Sequence, residues 1–218
     1  MNEDEHITMK TLFADRPRLL LLIIIACSGL GAILTYSVEI SAKNDSRGID
    51  RLFSTVGVIK VPPAKDPVAI NLKDVDGKNV SISDFKGNIV FLNFWTTWCP
   101  TCRIEMPSME KLHQKLKNYN FTMVTINLQE SASQVKAFFK EFELTFTALL
   151  DSTGEVGASF GIRAIPTTYI LDKTGRIIGL VNGPRKWDSK EAIALFENLM
   201  DNDTVAVTTE TADRDRFE

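Results

Sequence analysis

The stretch Ile89–Cys102, I-V-F-L-N-F-W-T-T-W-C-P-T-C, constrains this chain more than any other part of it. Ile89–Trp95 is a near-continuous apolar run, as expected of a strand covered on both faces. A short turn then leads to two cysteines at C-x-x-C spacing and a helical composition reaching about Leu116. The expectation is strand, tight turn, helix, with Cys99 at the helix start. A helix N-terminus carries unpaired N–H groups and partial positive charge, which favour a thiolate and lower the thiol pKa. Cys99 is therefore the expected nucleophile toward a disulfide. Cys102, one turn inside the helix, is the expected resolving thiol. Pro100 at the first helical position sacrifices no hydrogen bond, because that N–H would be unpaired in any case. Pro107, further in, predicts a kink.

Other chemistry for the cysteines is poorly supported. Zinc would need a second ligand pair, but there is no other C-x-x-C, and His6 and His113 are the only histidines. Covalent haem attachment would need a histidine after the second cysteine, where Arg103 stands. No metal site and no cofactor is expected. The net charge of −3, without a Lys/Arg block, gives no footprint for nucleic acid.

The organisation is one α/β domain with appendages. Residues 1–18 precede an uncharged run, 19–38, that as a helix would measure about 30 Å, the thickness of a bilayer core. This reads as an uncleaved signal anchor. Ile24-Ile25-Ala26-Cys27 also resembles a lipobox, although the chain stays apolar to Val38; lipidation at Cys27 would anchor it equally. Lys10, Arg16 and Arg18 before the span outweigh Lys43 and Arg47 after it, favouring a cytosolic N-terminus and a folded domain outside. Residues 39–66 read as an irregular tether, 67–200 as the domain, and 201–218 as a disordered acidic tail.

Within the domain, Asp76-Gly77 marks a hairpin. Phe121–Leu128 is a second central strand, and Ser131 starts a helix to Phe142. A short strand at Phe146–Leu150 and a short helix at Gly154–Phe160 follow. Then come two paired strands, Thr167–Asp172 and Arg176–Val181, and a closing helix, Trp187–Met200, with Asp188 as candidate cap. This alternation describes a three-layer sandwich with a mixed central sheet.

The segment F-L-N-F-W-T-T-W-C-P-T-C-R-I-E-M-P-S-M resembles the active site of the membrane-anchored TlpA/ResA-like thioredoxin family. D-F-K-G before the strand and A-I-P-T-T-Y-I-L-D-K-T-G-R-I-I-G after it extend the resemblance over Pro67 to Met200. It implies a thioredoxin-like fold and assigns roles. Ile165-Pro166 matches the family's cis-proline beside the dithiol, and Ile165 and Thr167 match positions whose backbone pairs with substrate. Trp98 matches the tryptophan flanking the nucleophile, and Pro100 and Thr101 are the residues between the cysteines. Ordinary thioredoxins have a buried Asp six residues before the nucleophile; here it is Asn93. Glu105 matches the acidic residue of ResA-like proteins and shares a helix face with Cys102. A partly buried carboxyl there would take the Cys102 proton.

The function so implied is an extracytoplasmic thiol–disulfide oxidoreductase on the bacterial cytoplasmic membrane, reducing protein disulfides such as those of apocytochrome c. Pro100-Thr101 is also shared with the CcmG/DsbE-type maturation proteins. A CcdA/DsbD-like transmembrane protein is the implied electron donor. Two rivals remain. A peroxiredoxin requires P-x-x-x-T-x-x-C, and Thr96 fits whereas Leu92 stands in the proline position. A copper chaperone uses C-x-x-x-C plus a distant histidine, for which His113 is the candidate.

Overall fold

The computed structural model describes residues 48–62 and 66–201. Its centre is β4 (Ile89–Trp95), every residue of which is buried. Strand side chains alternate between faces. Ile89, Phe91 and Trp95 therefore join the core on one side of the sheet, and Val90, Leu92 and Phe94 the core on the other. β5 (Phe121–Leu128) runs parallel beside β4 in full register, from Ile89 opposite Phe121 to Trp95 opposite Asn127. β7 (Thr167–Leu171) lies antiparallel on its other side.

The remaining strands are β1 (Ile59–Lys60), β2 (Asn71–Asp74), β3 (Asn79–Ser81), β6 (Thr147–Asp151) and β8 (Ile177–Asn182). They complete one mixed sheet of eight strands in the order β1-β8-β7-β4-β5-β6-β2-β3. The expected hairpin joins β2 to β3. The Asp74 carboxylate accepts the N–H groups of Asp76 and Lys78, and Gly77 supplies a φ of 85°.

The helices cover the two faces unequally. α1 (48–56), α2 (Pro100–Leu116), α3 (Ala132–Glu141) and α5 (Lys190–Asp201) feed the core that contains Phe91, Trp95, Met106, Met109, Trp187 and Phe196. The opposite core is closed by thinner elements. These are the 3₁₀ turn Ile82–Phe85, which buries Ile82, and the short α4 (Glu155–Ser159), with Val156 and Phe160 packed on it. The thioredoxin-like α/β architecture with a mixed sheet is thus as expected.

Three expectations need correction. Within the supposed tether 39–66, residues 48–60 are folded: α1 buries Ile49, Phe53 and Val56, and β1 pairs with β8. The three apolar positions lie on one helical face, which suffices to dock a short helix. Trp187 and Asp188 precede α5 rather than starting it, and its cap is Ser189, whose Oγ accepts the Ala192 N–H at 3.1 Å. Asp188 instead pairs with Lys111. Asp201 is the last residue of α5 and not part of the tail. Pro107 does lie inside α2, where it deprives the Arg103 carbonyl of an i+4 backbone donor. The segments 1–18 and 19–38, Cys27 and the tail beyond Asp201 lie outside the described residues. Among those described, no helix is long and apolar enough to cross a membrane.

α1 can sit where it does because β8 offers Gly179 beneath it. A Cβ at that position would lie 2.8 Å from Val58 Cγ1 and 3.2 Å from Phe53 Cε1. We expect Gly179→Ala to destabilise the fold by about 1–3 kcal/mol through overpacking. Denaturant melts would measure the loss, and limited proteolysis would show cleavage appearing first within 48–60.

Candidate active site

Cys99 and Cys102 form a disulfide across the first turn of α2, with Cα atoms 5.3 Å apart. Cys99 is the N-cap of the helix, in extended conformation, and its Sγ accepts the Cys102 N–H at 3.2 Å. Pro100 occupies the first helical position, as its missing N–H allows. The Thr101 hydroxyl lies 3.3 Å from Cys99 Sγ. Cys102 is fully buried and Cys99 nearly so. Sulfur at a helix N-cap, in line with orphan N–H groups, is placed where a thiolate would be stabilised.

The facing wall is the Ile165–Pro166 peptide, which is cis. The Ile165 carbonyl oxygen lies 3.8 Å from Cys99 Sγ, and Thr167, buried, opens β7 directly afterwards. The sequence-derived residues Cys99, Pro100, Thr101, Cys102, Ile165, Pro166 and Thr167 therefore converge at one end of the sheet. Trp98 stands beside them with its side chain 70% exposed, and Ile104, one turn further, is 73% exposed. Trp98, directly before the nucleophile, is therefore an exposed apolar side chain at the disulfide.

The turn carrying Trp98 is gripped from two sides. Glu130 Oε2 accepts the Thr97 N–H at 2.7 Å and Oε1 the Thr97 hydroxyl at 2.5 Å. Asn127 Nδ2 donates to the same carboxylate at 2.6 Å. Arg103 holds the Thr97 carbonyl at 3.2 Å, with its guanidinium over Phe138 and Phe142 and paired to Glu141. Gln129, at φ 58°, bends the chain just before Glu130. None of these residues was singled out in the sequence. The available signal was the T-T dipeptide before W-C, whose buried donors need acceptors.

Glu105 is 1% exposed, one turn along α2 from Cys102. Its Oε1 accepts from Asn93 Nδ2 at 3.0 Å. Its Oε2 accepts the Arg185 N–H and Trp187 Nε1–H, each at 3.2 Å. Asn93 also donates to the Thr168 hydroxyl on β7, so it positions the carboxyl as well as replacing an aspartate. Burial pushes the Glu105 pKa up to about 7, against the lowering effect of its donors, chiefly Trp187. A carboxyl of this kind can bind and release a proton near neutrality. Trp187 and Arg185 were not predicted as neighbours, because they lie some 80 positions away.

Neither rival chemistry is supported by the geometry. Leu92 lies fully buried in mid-β4, paired with Val124 and Tyr169, where proline would break the ladder. His113 lies far down α2 from Cys102, about 16 Å at 1.5 Å per residue, with its ring against Phe146. It is not positioned to share a metal with the cysteines. Among the described residues, no three of His, Cys, Asp and Glu converge to hold one.

Because Glu105 takes up its proton at higher pH when folded than when unfolded, the fold should lose stability as pH rises from about 4.5 to about 7. The loss attributable to this residue is on the order of 3 kcal/mol. Glu105→Gln should flatten that part of the stability–pH curve, measured by denaturant unfolding of the oxidised protein.

Residues 60–195 match the Redoxin family. The "Thiol-disulfide oxidoreductase ResA" of Bacillus thuringiensis subsp. konkukian is 34% identical over 132 residues, covering 61% of this chain and 76% of its own. The "Thioredoxin-like protein YneN" of Bacillus subtilis is 41% identical over 125 residues, 56% of this chain and 71% of its own. Among solved structures, a putative thiol:disulfide interchange protein DsbE from Chlorobium tepidum superposes with a TM-score of 0.58 at 25% identity, over 64% of this chain and 99% of that one. StoA from Bacillus subtilis gives 0.52 at 30% identity, over 60% and 99%. The resemblance read from the W-C-P-T-C segment is met by these relatives: the chain belongs to the Redoxin family, on its ResA-like branch.

Proposed function

We propose that this chain is an extracytoplasmic thiol–disulfide oxidoreductase that reduces specific protein disulfides. The observation that carries the reading is the Cys99–Cys102 disulfide at the α2 N-terminus, faced by the cis Ile165–Pro166 peptide. In the working direction the dithiol starts reduced. Cys99 thiolate attacks one sulfur of a substrate disulfide, forming a mixed disulfide and releasing the other substrate sulfur as a thiolate, which is protonated. Cys102 gives its proton to Glu105 and attacks Cys99 Sγ. The second substrate sulfur leaves, and the protein is left as the disulfide seen here. Two electrons pass to the substrate; of the two protons its thiols need, one comes from solvent and the other is the Cys102 proton handed on by Glu105.

Glu105 suits this step because its proton affinity is matched to neutral pH and because it lies one turn from Cys102. The Ile165 and Thr167 backbones, on either side of the cis-proline, are the proposed pairing positions for an extended substrate segment next to the sulfur. Trp98, exposed beside the nucleophile, supplies apolar contact there.

The rest of the proposal concerns place and pathway. The run 19–38 would anchor the chain in the bacterial cytoplasmic membrane, with the basic residues before it keeping the N-terminus inside. The domain would then work in an oxidising compartment, where a reductase must be recharged. A CcdA/DsbD-like transmembrane protein would supply the electrons, and apocytochrome c thiols are the proposed target.

Cys102→Ser in the full-length chain should leave substrates trapped on Cys99 as mixed disulfides in cells. Non-reducing gels and mass spectrometry should identify apocytochrome c among them, with nothing captured by Cys99→Ser. Capture of other proteins alone would move the pathway elsewhere, and no Cys99-dependent capture would sink the reductase reading.

A further inference from the structure

Glu105 is held from outside α2 by the loop 183–187, and that loop is itself held by a side chain. Arg185 donates through Nε to the Val56 carbonyl at 3.1 Å and through Nη2 to the Gly57 carbonyl at 3.3 Å, at the C-terminal end of α1. Its Nη1 reaches the carbonyls of Pro184 at 2.9 Å and Asn182 at 3.4 Å. The guanidinium thus spans four backbone carbonyls, two of them at the negative end of a helix, where a cation is favoured. The Arg185 backbone N–H donates to Glu105 Oε2. Two residues on, Trp187 gives its Nε1–H to the same oxygen. The loop is pinned at both ends: Gly183 N–H donates to the carbonyl of the cis Pro166, and Trp187 N–H to Ser108 Oγ on α2.

We propose that Arg185 is a positioning residue that straps α1 to the loop 183–187 and thereby fixes the proton affinity of Glu105. The inference rests on the reading of Glu105 as proton partner of Cys102. The side chain touches neither sulfur nor Glu105; it acts by holding two donors on one carboxylate oxygen. Its positive charge also favours the ionised carboxyl. The groups around Glu105 are few. Asn93 on β4 is neutral, as is Thr168 beyond it on β7, and Cys102 lies on its own helix. Arg103, also on α2, is committed to Thr97 and Glu141. Among the described residues, Arg185 is therefore the cation placed to act on Glu105. The short helix preceding β1 then belongs to the redox unit, since its last carbonyls are the strap's anchor.

The test uses the full-length chain in detergent micelles, with Cys99 loaded as the mixed disulfide with thionitrobenzoate. Release of thionitrobenzoate by Cys102 is followed as a function of pH. Loss of the strap weakens both donors to Oε2 and removes the charge, so Arg185→Ala should move the midpoint of the profile upward by about half a pH unit or more. Arg185→Lys keeps the charge without the fork and should show a smaller upward shift. In a Glu105→Gln background, Arg185→Ala should move nothing. A lowered melting temperature with an unmoved midpoint, or a downward shift, overturns the strap; if Arg185→Ala does not fold, Arg185→Lys decides by the same criterion. A Glu105→Gln profile identical to wild type overturns the Glu105 reading and the strap with it. A changed Glu105→Gln profile beside unmoved Arg185 variants overturns the strap alone.

Discussion

The buried carboxyl of Glu105 is the constraint around which the rest of this structure is arranged. An ionised carboxylate without partners would cost many kcal/mol at that depth. The protein meets it with neutral donors from two directions, Asn93 from the central strand and the Arg185 and Trp187 N–H groups from the loop after β8. Those donors can converge only if α2 lies over β4 and the chain returns past the cis-proline before closing with α5. The sheet order β8-β7-β4 is what brings the loop within reach. Partial satisfaction has a consequence: burial outweighs the donors, and the proton affinity settles near neutrality instead of in the usual carboxylate range.

Glu130 is the instructive contrast. It too is a buried carboxylate with three neutral donors, but they are shorter, and two belong to a single residue, Thr97. Such short bonds fix the backbone of the turn. With Arg103 on the carbonyl of the same residue, the turn before Cys99 has little freedom. A nucleophile placed at a helix N-cap gains from that geometry only while the turn delivers the sulfur into line with the helix N–H groups.

Much of the fold was legible because its signals are local. The alternation in Phe121–Leu128 and the uninterrupted apolar run at Ile89–Trp95 mark the two central strands, with bounds matching those observed. Ser131 followed by Gln134 makes the capping box that starts α3. The dithiol and the cis Ile165–Pro166 were equally plain, one from spacing and the other from family resemblance. α1 was not legible. Its three inward residues sit in a polar stretch, and the reason it docks is the missing side chain of Gly179, far along the chain. Asp188 and Ser189 are interchangeable as caps by composition; in the fold Ser189 caps α5 and Asp188 pairs with Lys111 on α2.

The same division runs through the site. The sulfur's placement is encoded mostly locally: strand, turn, Cys99, Pro100 and helix dipole lie within about a dozen consecutive residues, and Glu130 holds the turn from outside. Proton management is encoded at long range, by Asn93, Arg185 and Trp187 acting on one carboxyl. Burial and hydrogen bonds shift a carboxyl in opposite directions, so modest changes in the loop 183–187 are sufficient to retune Glu105 without touching either cysteine. Under the proposed role of Glu105, proteins sharing the W-C-x-x-C turn would differ in the pH at which their second thiol is freed while presenting the same first one. Of the donors that act on Glu105, Asn93 lies within the segment that carries the W-C-x-x-C motif, and Arg185 and Trp187 lie outside it.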